Sequence, residues 1–197
     1  SFSNPASLGQ TEGTNYGLSY FHMALDRSIQ SFYFSKSLPG NAGLSVSIFR
    51  ASVDNIMGRD AFNNSTHELS MSDYYGLLSF GLDLTQKSSI GLTMKLHYSN
   101  LNIDADHIDQ YTGNSTVLDI GASYLILPKL KLGFKCENLL NPYLNWDIDI
   151  ADGFSHTYSE SYPLILSLGS LYSFNKGHKI MLQQDIFYFN DDKIFLT

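Results

Sequence analysis

Between Ile90 and Leu101 the chain alternates. Ile90, Leu92, Met94, Leu96 and Tyr98 share one phase, and Gly91, Thr93, Lys95, His97 and Ser99 share the other. Successive side chains of a strand point to opposite faces, so this stretch is a β-strand with one apolar face. A helix would need apolar residues at i, i+3, i+4 and i+7, which this alternation does not supply. The question it poses is which solvent wets the apolar face, a protein core or lipid.

The same design recurs along the chain. Strands are expected at Tyr16–His22, Ser28–Leu38, Gly43–Ala51, Ser72–Thr85, Thr116–Leu127, Leu130–Asn138, Leu164–Phe174 and Lys179–Phe189, with another beginning at Lys193. In the Ser72–Thr85 strand, Tyr74, Gly76, Leu78, Phe80, Leu82 and Leu84 oppose Ser79, Gly81 and Asp83. The turn Leu38-Pro39-Gly40-Asn41-Ala42-Gly43 is rich in residues suited to a fixed or positive φ. Connections alternate in length. Short links lie at Leu38–Gly43, Thr85–Ser89, Leu127–Leu130 and Asn175–His178; long polar loops are expected at Val53–Ser70, Asn102–Asn114 and Asn138–Tyr162. Two short links, near Asp26 and Asp191, break the pattern on the long-loop side. Short turns at one rim and long loops at the other describe a transmembrane, antiparallel up-and-down β-barrel.

The polar phase supports lipid as the solvent. It is mostly Gly, Ser and Thr, and only 16% of all residues are charged, against roughly 25% in an average soluble domain. Folding Ser72–Thr85 against Ile90–Leu101 puts Tyr74 opposite Tyr98, both on the apolar phase at the rim away from the turn. Tyr rings favour such a headgroup level. No apolar run reaches the ~18–20 residues of a spanning helix. The net charge of −7, with no basic run, argues against nucleic acid. The alternative is a soluble lipocalin-like carrier of a hydrophobic ligand, in which Leu92, Met94 and Leu96 would line a cavity and Thr93 and Lys95 would face water.

The residues then resemble a known family. Asn4-Pro5-Ala6-Ser7-Leu8 is similar to the Asn-Pro-Ala-Gly-Leu box of FadL-like outer-membrane barrels, especially their PorV/PorQ branch, with Ser7 in place of the glycine. Ser31-Phe32-Tyr33-Phe34, Gly43-Leu44-Ser45-Val46-Ser47, Asp119-Ile120-Gly121-Ala122-Ser123-Tyr124, Leu132-Gly133-Phe134 and Glu137-Asn138 follow in the family's order. The resemblance covers nearly the whole chain; each motif is weak alone and their order is more specific. It implies one barrel domain over residues 1–197, with residues 1–12 as a plug or hatch carrying Asn4, Pro5 and Ala6, and residues 13–197 as strands. About ten strands of a larger barrel are expected. The opening Ser1-Phe2-Ser3 without a methionine, and the family's further strands, give the expectation of a chain truncated at both ends. The implied location is the bacterial outer membrane. The implied roles are passage of hydrophobic molecules, or service in type IX secretion with secreted proteins or machine subunits as partners.

Site residues are few. Asp83, Lys95, Asp119, Lys131, Lys135, Glu137 and Asp185 fall mostly on the polar phase, hence in a barrel lumen. The plainer reading is that they pair and fill the interior; the functional one is a lined path or selectivity element. His22, His67, His97, His107, His156 and His178 are scattered, no Gly-x-Ser-x-Gly elbow occurs, and no enzyme activity or cofactor is expected. Asp104, Asp106 and Asp109 cluster in one loop, and Asp147, Asp149 and Asp152-Gly153 in another. Tyr158 stands where an EF-hand would place its closing glutamate, so solvated acidic loops, not a metal site, are expected.

Overall fold

The computed structural model describes residues 4–104, 109–140, 142–150, 154–175, 178–189 and 193–196. A short 3-10 segment, Pro5–Gln10, precedes one antiparallel sheet of twelve strands. Ten strands form the wall in the order β1 (Thr14–Met23), β2 (Arg27–Leu38), β3 (Ala42–Arg59), β4 (Ser65–Asp83), β5 (Ser88–Asp104), β6 (Asp109–Leu127), β7 (Leu130–Leu139), β10 (Leu164–Asn175), β11 (His178–Phe189) and β12 (Lys193–Leu196). Between β7 and β10 the chain makes a side hairpin, β8 (Tyr143–Ile150) and β9 (Phe154–Ser161). β6 therefore forks, pairing with β7 over 118–127 and with β8 over 110–114.

The ten-strand wall matches the alternation, and the side hairpin adds two strands that the sequence did not reveal. The long loops are corrected. Val53–Ser70 continues β3 and β4 into an extended ribbon that closes at residues 60–64, and Asn102–Asn114 likewise extends β5 and β6. Asn138–Tyr162 holds the side hairpin. The β3–β4 ribbon stands in water on both faces at Asp54, Asn55, Ile56 and Met57, so nothing selects an apolar phase there. The Gly40-Asn41 turn has the expected positive φ, 82° and 58°, and Leu25-Asp26 makes a second such turn between β1 and β2.

The faces are assigned by exposure. On β5, Ile90, Leu92, Leu96 and Tyr98 are 44%, 44%, 51% and 44% exposed, whereas Ser89, Thr93, His97 and Ser99 are 2%, 3%, 7% and 0% exposed. The apolar phase points outward and the Gly/Ser/Thr phase is the concave interior. That is the reverse of the lipocalin arrangement, which is thereby overturned. Side chains that are small sit where a curved sheet leaves least room, and large ones where it leaves most. An outward row of Leu, Ile, Phe, Met and Tyr running across β3 to β7 is far too extensive for a water-facing surface. Lipid is its solvent. Tyr74 and Tyr98 are direct cross-strand partners on this face, their ring centroids 6.2 Å apart.

Candidate functional site

The interior is organised around Pro5–Gln10. The Asn4 side-chain oxygen accepts from the Ala6 N–H at 3.0 Å and caps the segment, and Pro5 follows with its φ already fixed. Pro5, Ala6, Leu8 and Gly9 are buried against the concave face. Their seat is a row of glycines in register across four strands: Gly43 opposite Gly81, Gly81 opposite Gly91, and Gly91 opposite Gly121. A Cβ on Gly81 would lie 2.5 Å from the Pro5 carbonyl oxygen; those on Gly43, Gly91 and Gly121 would overlap Leu8, Pro5 and Asn4. Only a strand face without side chains lets this backbone come so close. At one end the Asn4 amide donates to the carbonyls of Ala122 (3.2 Å) and Phe134 (3.0 Å), bridging β6 and β7. At the other, Gln10 donates to Ser89 Oγ at 3.4 Å and accepts from Lys131 Nζ at 2.9 Å.

Asn4, Pro5 and Ala6 thus sit on the inner face, with Lys131 beside them. Asp83 lies there too, against Gly9, with one carboxylate oxygen buried and without a hydrogen-bond partner among the described residues. The glycine row itself was missed. Each glycine looks like an ordinary member of the polar phase, and only strand register aligns them. The available signal was that Gly81 and Gly91 flank the Thr85–Ser89 turn nearly symmetrically.

Four of the expected lumen charges meet in one cluster. Lys95 Nζ is 2.9 Å from Asp119 and 3.7 Å from Glu137, and Lys135 Nζ is 3.0 Å from the other oxygen of Glu137. Asn138, at φ 60°, ties the cluster to the fork. Its N–H donates to Asp119 at 3.0 Å, its side-chain oxygen accepts from Lys95 at 3.1 Å, and its amide donates to the Pro163 carbonyl at 2.7 Å. One layer toward the long-ribbon rim, rings fill the interior. Phe49 and Tyr75 are 6.0 Å apart, Tyr75 stacks on His97 at 4.1 Å, and His97 hydrogen-bonds Tyr162 and, at 3.2 Å, Asp73. Phe49, Tyr75 and Leu77 lie on the phase read as polar, which hid them. With the charge cluster they line a recess of about 220 Å³. A second recess of about 370 Å³ lies beside Asn4 and Ser7, against the inner faces of β7, β10 and β11. Lys135 and Glu137 line both.

In fold, the chain is similar to bacterial hydrocarbon channels. It superimposes on the Pseudomonas putida toluene transporter TodX with a TM-score of 0.64 at 12% identity, covering 96% of this chain and 65% of that one. A TodX mutant described as a monoaromatic hydrocarbon channel gives 0.66 at 12% identity, with coverages of 96% and 65%. The Ralstonia pickettii toluene transporter TbuX gives 0.60 at 12% identity, with coverages of 94% and 66%. The chain therefore spans about 65% of the length of the TodX structures it matches. No protein-family model matches the sequence, and no curated protein matches it.

These neighbours are channels and transporters by description, not enzymes. They support the FadL-like architecture without singling out the PorV/PorQ branch. Among the described residues no group of His, Cys, Asp and Glu is placed to hold a metal. Of the acidic loops, Asp106 and Asp152-Gly153 lie outside the described residues, as do the side chains of Asp104, Asp109 and Asp149.

Proposed function

We propose that this chain forms the wall and plug of an outer-membrane channel for hydrophobic small molecules, with residues 1–12, and Asn4, Pro5 and Ala6 in particular, as the plug. One observation carries the reading. A lipid-wetted wall holds a buried 3-10 segment on a side-chain-free glycine row, next to a recess floored by charges and walled by Phe49, Tyr75 and Leu77. A lumen that is stoppered but ring-lined suits uncharged apolar cargo better than ions, for which pores are lined by polar or charged rings. The test is uptake of a hydrophobic probe such as toluene by cells making the full-length protein in place of their own channels. Uptake above that of control cells, with folded protein in the outer-membrane fraction, is the expected result; uptake equal to control would end the proposal.

A second reading, service to a type IX secretion machine, is favoured by the polar ribbons. β3–β4 and β8–β9 extend past the apolar band on one rim and offer a surface to secreted proteins or machine subunits. In that case loss of the protein would leave cargo proteins unsecreted while hydrocarbon uptake stayed the same.

A further inference from the structure

The Pro5–Gln10 segment packs chiefly on β3 to β6 and leaves the inner face of β7, β10 and β11 to the second recess. Lys135 and Glu137 line both recesses, so a molecule moving directly from the ring-walled recess to the one beside the segment passes this pair. We infer that the Lys95–Glu137–Lys135 bridge is the charge filter of this passage, admitting uncharged ring-bearing molecules and turning back ions of either sign. The inference rests on the transport reading above and names the residues that set its selectivity.

The chemistry is one of balance. Two ammonium groups, Lys95 and Lys135, face two carboxylates, Asp119 and Glu137. Glu137 bridges the two lysines through separate oxygens, while Asp119 takes the near side of Lys95. Every charge already has its counter-charge, so the cluster carries no net charge that would favour an ion of one sign. An anion entering would have to displace a carboxylate that is held in place. A cation would have to displace an ammonium, and the displaced group would be left uncompensated in a poorly hydrated site. An uncharged ring breaks nothing. It can lie against Phe49, Tyr75 and Leu77 and slide along the aliphatic stems of the lysines, which carry their charge only at the tip.

The experiment uses three probes with the same ring and different charge: toluene, benzoate and benzylamine. Uptake is measured in cells producing the full-length protein or its variants, each checked for folding by heat-modifiable migration. The wild type takes up toluene in preference to both ions. Glu137→Gln leaves two lysines facing Asp119 alone, and benzoate uptake relative to toluene rises by about tenfold, the low end of what a one-sign cleft does for its counter-ion. Lys135→Met has the opposite effect and favours benzylamine. The double variant Lys135→Met/Glu137→Gln restores balance through Lys95 and Asp119, and the preference returns to toluene. A merely structural pair would not give a sign that reverses and then cancels. Folded single variants that keep the wild-type ratio, or that admit both ions together, would overturn the filter while leaving transport standing. Absence of toluene uptake by the wild type would instead remove the transport reading, and the filter with it.

Discussion

Gly91 lies directly under Pro5: a methyl group added to it would overlap the Pro5 carbonyl carbon and the Ala6 nitrogen. Both are backbone atoms, so no side-chain rotation relieves the overlap. Gly91→Ala should therefore lift the 3-10 segment from its seat, at an overpacking cost of about 1–3 kcal/mol. Gly76→Ala is the control, because a Cβ there meets nothing within 4 Å. It should be neutral or stabilise by about 0.5–1 kcal/mol through the strand's lost glycine entropy. The readout is a buried thiol, Leu8→Cys in a Cys136→Ser background, probed with a water-soluble maleimide. Labelling should accelerate with Gly91→Ala and stay slow with Gly76→Ala.

The Asn4 amide separates two roles of one side chain. Its oxygen caps the segment by accepting from Ala6, and its nitrogen donates to the carbonyls of Ala122 and Phe134. Asn4→Ala loses both and should loosen the segment by about 1–2 kcal/mol. Asn4→Asp keeps the cap acceptor but turns a carboxylate toward two carbonyl oxygens. It should loosen the segment more than alanine does. The same Leu8→Cys protection, measured for both variants, checks the order; aspartate milder than alanine would show that the cap matters and the bridge to β6 and β7 does not.

The wall was legible because its two faces meet different solvents, so one strand alone, Ile90–Leu101, discloses its phase. Where both faces are wet, as in Asp54–Met57, that signal is lost and a strand reads as a loop. In β8 the alternation of Leu144, Trp146, Ile148 and Ile150 with Asn145, Asp147 and Asp149 is present but short, inside what reads as a long polar loop. The site was legible by residue but not by arrangement. Lys95, Asp119, Lys135 and Glu137 could be placed on the inner phase one at a time, yet their meeting needs the register that sets Asp119 opposite Thr93 and Lys135 opposite Gly121. Asn138, at positive φ where β7 ends, ties Asp119 to Lys95. Phe49 and Tyr75 were hidden for a related reason. They interrupt a phase that is mostly Ser, Gly and Thr, and a period-two pattern does not say that an exception is a pocket.

Asp60 shapes the tip of the β3–β4 ribbon. Its carboxylate accepts from the Asn64 side chain at 2.9 Å and from the backbone N–H groups of Asn64 and Phe62, each at 2.8 Å. The Asn64 side-chain bond is the main cause that holds this carboxyl below its ordinary value of 3.8. A depressed value means that the turn's added stability is fully present above that ordinary value and is lost as pH falls through the lower, folded one. The amide resonances of Phe62 and Asn64 should thus stay constant from neutral pH down to about the ordinary carboxylate range and move only below it. Asp60→Asn should abolish the movement. A midpoint above the ordinary carboxylate value would contradict the hydrogen-bonded turn.

Met94 stands midway between Ile90 and Tyr98 on the outward phase of β5, opposite Leu78 and Leu118. If acyl chains wet that phase, a charge there sits near the bilayer midplane. Met94→Lys should then cost about 2–4 kcal/mol of folding stability in lipid vesicles. Phe62→Lys is the matched control. Phe62 is 87% exposed at the tip of the β3–β4 ribbon, beyond the apolar band, and the change should stay within about 0.5 kcal/mol. Denaturant unfolding from vesicles compares the two. The contrast also removes any general penalty of adding a lysine, since both variants carry one. Equal and small effects would mean that water reaches Met94, and the outward row of Leu, Ile and Tyr would then need a protein partner, not lipid, to cover it.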